Sequence, residues 1–118
     1  MSLDEAESKL KFADYLLQRE NFSEYASGIA RHLLEAANKA VTVNFNLEGT
    51  SINHLIINKR LSSGTQEEKD FSGIYLALWK LAANPKPTKE EVTRMMARVK
   101  TFTQYVKTNL NSRGEFKE

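Results

Sequence analysis

The chain has no cysteine, which removes disulfides and thiolate metal ligands and agrees with a reducing, cytoplasmic setting. No apolar run approaches the ~18 residues that a membrane span needs, so no membrane role is expected. The opening MSLDEAESKL is acidic and holds no apolar stretch of the signal-peptide kind. The five glycines, at 28, 49, 64, 73 and 114, are scattered and form no GxxxxGK[ST] phosphate cradle. The only two histidines, His32 and His54, stand outside any HExxH-type spacing, so neither a metal site nor any other cofactor is expected. The serines lack a glycine elbow or spaced His/Asp partners, which leaves no visible nucleophile.

What the chain does have is helical periodicity. Its 118 residues suffice for one domain with one core. Residues 22–45 form the longest pattern: Phe22, Tyr25, Ala26, Ile29, Ala30, Leu33, Leu34, Ala37, Ala40, Val41 and Val43 recur at helical spacing, an apolar stripe of about six turns. Asn21 or Ser23 can cap its start. Its small residues, Ala26, Gly28, Ala30, Ala36, Ala37 and Ala40, allow neighbours to approach closely, so this helix is expected at the centre.

The other segments are expected to pack around it. Residues 3–20 read as a first helix, with Ser2 and Glu5 at capping-box spacing and Leu3, Ala6, Leu10, Ala13, Leu16 and Leu17 as its buried stripe. The short link at Glu20–Asn21 implies that the second helix returns antiparallel. After a loop at 46–51 containing Gly49, Thr50 or Ser51 is placed to cap a short helix, INHLIINKRL, with Ile52, Leu55, Ile56 and Leu61 as its apolar face. Gly64 reads as that helix's C-cap. Thr65 and Glu68 form a second capping box and open a helix over 66–83 with Phe71, Ile74, Tyr75, Leu78, Trp79 and Ala82 inward; Trp79 is expected largely in the core. NPKP at 84–87 breaks the chain. Thr88 and Glu91 form a third box, opening a helix over 89–110 whose seam runs through Val92, Met95, Met96, Val99, Phe102, Val106 and Leu110. The expected fold class is all-α: an antiparallel up-and-down bundle of four long helices and one short one over residues 1–110, followed by a flexible tail at 111–118.

Charge is unevenly placed. Residues 1–50 carry five Lys/Arg against eight Asp/Glu, residues 51–83 four against three, and residues 84–118 eight against four. A basic last third suits a phosphate-bearing partner, the acidic half of another copy, or simply a solvated helix face. Arg94 and Arg98 are four apart and share a face, with Lys86 and Lys89 near the helix start. Guanidinium forks can hold phosphate bidentately. Glu90 is spaced to pair with Arg94 and offset part of that charge. His54, near a loop, is the better functional candidate of the two histidines, while His32 beside the second helix's stripe reads as a partly buried, hydrogen-bonded residue.

Taken together, the helix order long, long, short, long, long, the run Ala36-Ala37-Asn38-Lys39-Ala40-Val41, Gly49 followed by His54-Leu55, and the closing stretch from Phe102 to Val106 resemble the HEPN family, the nucleotide-binding helical domain of higher eukaryotes and prokaryotes. The resemblance spans about residues 4–110. It implies a helical domain that dimerises, binds a nucleotide, RNA or a nucleotidyltransferase-type protein partner, and works in a toxin–antitoxin-like setting. It also extends the phosphate-contact set to Lys39, His54, Lys86, Arg94 and Arg98. Some family members are ribonucleases that use an arginine and a histidine with four to six residues between them. No arginine here has a histidine at that spacing, so the expectation leans toward a non-catalytic binder, with a protein-interaction module and a degenerate ribonuclease as alternatives.

Overall fold

The computed structural model describes residues 3–19, 22–47 and 53–112. Five helices make up the fold of those residues: α1 (Asp4–Leu17), α2 (Phe22–Asn44), α3 (His54–Ser62), α4 (Gln66–Ala83) and α5 (Lys89–Ser112). The Ser2–Glu5 box, the Asn21 or Ser23 cap, Gly49, the Thr50 or Ser51 cap, Ile52 and all of the tail beyond Ser112 lie outside the described residues or side chains.

α2 sits where its composition places it. Ile29, Ala30, Leu33, Ala36, Ala37, Ala40 and Val41 have no exposed surface, and α2 touches α1, α4 and α5. Alanines at the contact face bring the neighbouring backbones close, so larger residues from three helices fill the space around one thin rod. The seam residues of α5, from Val92 and Met95 through Leu110, are all buried. The Cα radius of gyration of 13.9 Å is close to the ~13.5 Å of a compact chain this long.

Side-chain pairs record how the helices run. Glu5 meets Lys39 at 2.9 Å, Lys9 meets Glu35 at 3.5 Å, and the Phe12 ring lies edge-on to His32 at 4.9 Å. Partner numbers fall along α2 as they rise along α1. The same descent joins α1 to α5, through Glu7–Lys107 and Asp14–Lys100. It also joins α2 to α4, where Asn38 accepts from Tyr75 at 2.6 Å and Asn44 donates to Glu68 at 2.5 Å.

The helix starts are set by local chemistry. At α4, Thr65 Oγ1 accepts from the Glu68 N–H and the Glu68 carboxylate accepts from the Thr65 N–H; at α5, Thr88 and Glu91 repeat the arrangement. Both boxes stand where their spacing predicts. α3 is capped by Asn53, whose side-chain oxygen accepts from the N–H groups of Leu55 and Ile56. That cap fixes the helix phase and corrects the expected face. Leu55 and Ile56 are 67% and 59% exposed, whereas Ile57 and Leu61, one turn apart, are buried.

Two further expectations, at Gly64 and Trp79, change. The last residue before Gly64, Ser63, is the C-cap of α3, and Gly64 is held to glycine by space: a Cβ there would collide with the Glu68 carboxylate. Asn46, at φ 57°, takes the left-handed turn after α2, a role asparagine shares with glycine. Trp79 is half-buried at the edge of the core. Tyr75 occupies the centre instead, with no exposed surface.

Burial pushes the Tyr75 hydroxyl above its ordinary value of 10.0, with the Trp79 indole partly offsetting the rise. The folded state therefore keeps this proton over a pH range where the unfolded chain has lost it. The stabilisation is complete below pH 10 and disappears as pH rises through the folded value. A tyrosinate absorbance titration is expected to show one late-ionising hydroxyl among four tyrosines, appearing together with loss of helical signal. Tyr75→Phe should remove that late step at a cost of about 1 kcal/mol at neutral pH, the usual worth of such a hydrogen bond. Four tyrosines ionising together with the helices intact would contradict this.

Candidate functional site

The sequence-derived phosphate contacts do not converge on one place. Lys39 is drawn across the α1–α2 seam onto Glu5, and that lysine, by hydrogen bond and then by charge, holds the Glu5 carboxyl below its ordinary value. His54 opens α3 with its ring 4.9 Å from the Trp79 ring. Lys86 follows α4, where its backbone N–H is taken up by Asn84 Oδ1. His32 faces α1, with Nδ1 3.4 Å from a Glu35 oxygen but without an aligned hydrogen bond.

Arg94 and Arg98 are both exposed on α5, as their spacing requires. The Glu90–Arg94 ion pair does not form among the described residues. The neighbouring Glu91 is instead committed to the helix start, where the Thr88 N–H, then the Thr88 hydroxyl, and last the charge of Arg94 hold its carboxyl below the ordinary value. Both Glu5 and Glu91 thus favour the fold above pH 4.5, and that contribution fades as pH falls through their lowered values. With Glu91 so engaged, the α5 entry retains Lys86, Lys89, Arg94 and Arg98 without an ion pair among the described residues.

Two grooves flank α5. The larger, about 240 Å³, lies against α1 and is lined by Glu7, Lys11, Asp14, Lys100, Gln104 and Lys107. Lys107–Glu7 at 3.7 Å and Lys100–Asp14 at 3.9 Å bridge it, so its charges largely answer one another. The smaller, about 110 Å³, lies against α4. Its floor is the stacked pair Phe71 and Phe102, with centroids 4.1 Å apart and planes 4° from parallel. Tyr105 closes one end through a 3.0 Å hydrogen bond between its hydroxyl and that of Thr65. Arg98 and Thr101 stand on the α5 wall, Glu67 and Asp70 on the α4 wall, and Arg94 lies one turn beyond Arg98. This groove sets a guanidinium on one wall against two carboxylates on the other, over a floor of buried rings.

The spacing of the sequence singles out Arg98 but not Glu67, Asp70, Thr101 or Tyr105, which reach the groove only through the packing of α4 against α5. Sequence reasoning also passes over Phe12 and Tyr15, which are 47% and 57% exposed. Their signal was present: two aromatic residues three apart, off the apolar stripe of the first helix. Among the described residues no three His, Asp or Glu side chains gather as a metal site, and no helix is long and apolar enough to cross a membrane. No family model, curated protein or solved structure matches the chain.

Proposed function

We propose that the chain is a HEPN-like antiparallel up-and-down bundle that acts as a non-catalytic binding module, pairing with a second copy and taking a nucleotide, free or within RNA, in the groove between α4 and α5. The descending partner numbers along α1–α2, α1–α5 and α2–α4 support the antiparallel reading. The observation that carries the nucleotide reading is the polarity of the groove. The half-buried Tyr105 offers an aromatic ring to a base, Glu67 and Asp70 offer acceptors to sugar hydroxyls, and Arg98, with Arg94 one turn beyond the groove, offers a guanidinium fork to phosphate. Lys86 and Lys89 extend the positive charge toward the start of α5. Lys39 and His54 lie on other faces and are left out of this site.

Titration of a fluorescent adenosine triphosphate analogue tests it. Arg94→Ala with Arg98→Ala should weaken binding about 10- to 100-fold, since a hydrogen bond to a charged group contributes roughly 1.5–3 kcal/mol. The double variant should also flatten the salt dependence. An affinity untouched by either the substitutions or salt would remove the site.

A second reading, a regulatory interaction module without nucleotide chemistry, is favoured by one observation: Leu55 and Ile56 protrude from α3, followed one turn later by Lys59 and Arg60. Such a surface suits an acidic protein partner, the nucleotidyltransferase-type partner of a toxin–antitoxin-like pair included.

A further inference from the structure

Gly28 has no role inside the fold. It is exposed in the second turn of α2, and a Cβ added there would meet nothing within 4 Å. Glycine weakens a helix relative to alanine, and Gly28, like Gly73 on α4, leaves bare backbone on the surface. The close helix contact expected at Gly28 from the sequence is not made within the monomer.

The surroundings of Gly28 suggest what approaches. Tyr25, Gly28 and His32 form one stripe of α2, spaced three and four apart. The ends of that stripe face α1: the Arg19 guanidinium lies 5.8 Å from the Tyr25 ring centre, and Phe12 is edge-on to His32. Tyr15 lies between Phe12 and Arg19 on α1, which puts it across from Gly28. The Phe12 and Tyr15 rings are within 18° of parallel at 6.3 Å, and Arg19 donates to the Tyr15 hydroxyl at 2.9 Å. The result is an exposed aromatic seam with bare backbone at its middle.

Charge narrows the choice of occupant. One end of the seam carries Arg19 and Glu24, the other Arg31 and Glu35, the last already shared with Lys9 and His32. A polyanion gains little from a rim balanced in this way. A two-fold axis through the middle of the seam, by contrast, brings each end of one copy against the opposite end of the other, setting Arg31 beside the partner's Glu24. We infer that this seam is the surface through which two copies of the chain meet, with α1 and α2 of each protomer crossing near Gly28. The inference rests on the self-association part of the reading above and assigns it a surface.

Sedimentation equilibrium of the full chain at micromolar concentration tests it. Phe12→Ser with Tyr15→Ser removes the rings, and Gly28→Leu fills the gap while fitting the isolated monomer. Both variants should keep the helical signal of the parent, yet dissociate at least about 100-fold more readily, as loss of central interface contacts does. Leu55→Ser with Ile56→Ser should leave the dimer intact. A monomeric parent would overturn both this inference and the self-association reading. A dimeric parent whose seam variants remain dimeric would overturn the inference alone. Loss of oligouridine binding by seam variants that stay dimeric would make the seam a nucleic-acid surface and overturn it as well.

Discussion

Leu33→Ala is expected to lower the stability of the fold by about 3–4 kcal/mol, within the range measured for buried leucines. Leu33 has no exposed surface and lies in the middle of α2, the helix that three others touch. Losing its methyl and methylene groups forfeits about 0.8 kcal/mol each, and the cavity adds to that because alanine-lined neighbours cannot collapse inward. In a domain of this size the melting temperature should fall by roughly 10–15 °C. Leu55→Ala supplies the comparison. The residue type is the same, but Leu55 is 67% exposed on α3, and its truncation should cost no more than about 0.5 kcal/mol. Equal losses from the two substitutions in thermal melts would contradict the placement of α2 at the centre and of Leu55 on the surface.

Gly64→Ala should cost about 2–4 kcal/mol, far more than its exposed-loop appearance suggests. The added Cβ would collide with the Glu68 carboxylate. A flexible side chain could swing away cheaply if it were free, but this one is engaged at both oxygens. One accepts from the Thr65 N–H at 2.7 Å, closing the capping box, and the other accepts from Asn44 at 2.5 Å, tying the end of α2 to the start of α4. Both Asn44 and Glu68 are buried, so displacement leaves polar groups without partners away from water. Two penalties therefore follow from one methyl group: a lost cap and a broken buried bond. A double-mutant cycle checks the cause. In a Glu68→Ala background, Gly64→Ala should cost much less, because the carboxylate and both of its bonds are gone and only the 3.2 Å approach to the residue-68 Cβ remains. Additive losses would mean that Gly64 acts through its own backbone and not through Glu68.

The long helices were legible from sequence because their information is local and repeated. Eleven apolar or small residues at helical spacing define α2, and two Thr/Glu pairs at the right spacing mark the starts of α4 and α5. The short helix was less legible for a physical reason. Three adjacent apolar residues, Leu55 to Ile57, admit several helical phases, and the Asn53 cap selects one that leaves two of them in solvent. Gly64 and Trp79 show a second limit. Whether a glycine is required by its backbone or by a neighbour's carboxylate depends on a contact four residues away, and Trp79 yields the centre to Tyr75 because Tyr75 finds Asn38 for its hydroxyl while the indole N–H finds no aligned acceptor.

The candidate site was partly legible in the same sense. The i,i+4 spacing of Arg94 and Arg98 predicts their shared face, but nothing local predicts that Glu67 and Asp70 share a groove with Arg98, or that Lys39 is spent on Glu5. These facts belong to the packing of α4 against α5 and of α1 against α2. They divide a five-residue set into one groove and several outliers.

Native mass spectrometry of the freshly purified chain, with and without added nucleoside triphosphates, tests the binding account most directly, since one spectrum reports subunit count and bound small molecules together. The account predicts a dimer that acquires one nucleotide-sized mass per protomer, diminished by Arg94→Ala with Arg98→Ala. A bare monomer whose mass is unchanged by any nucleotide would contradict it.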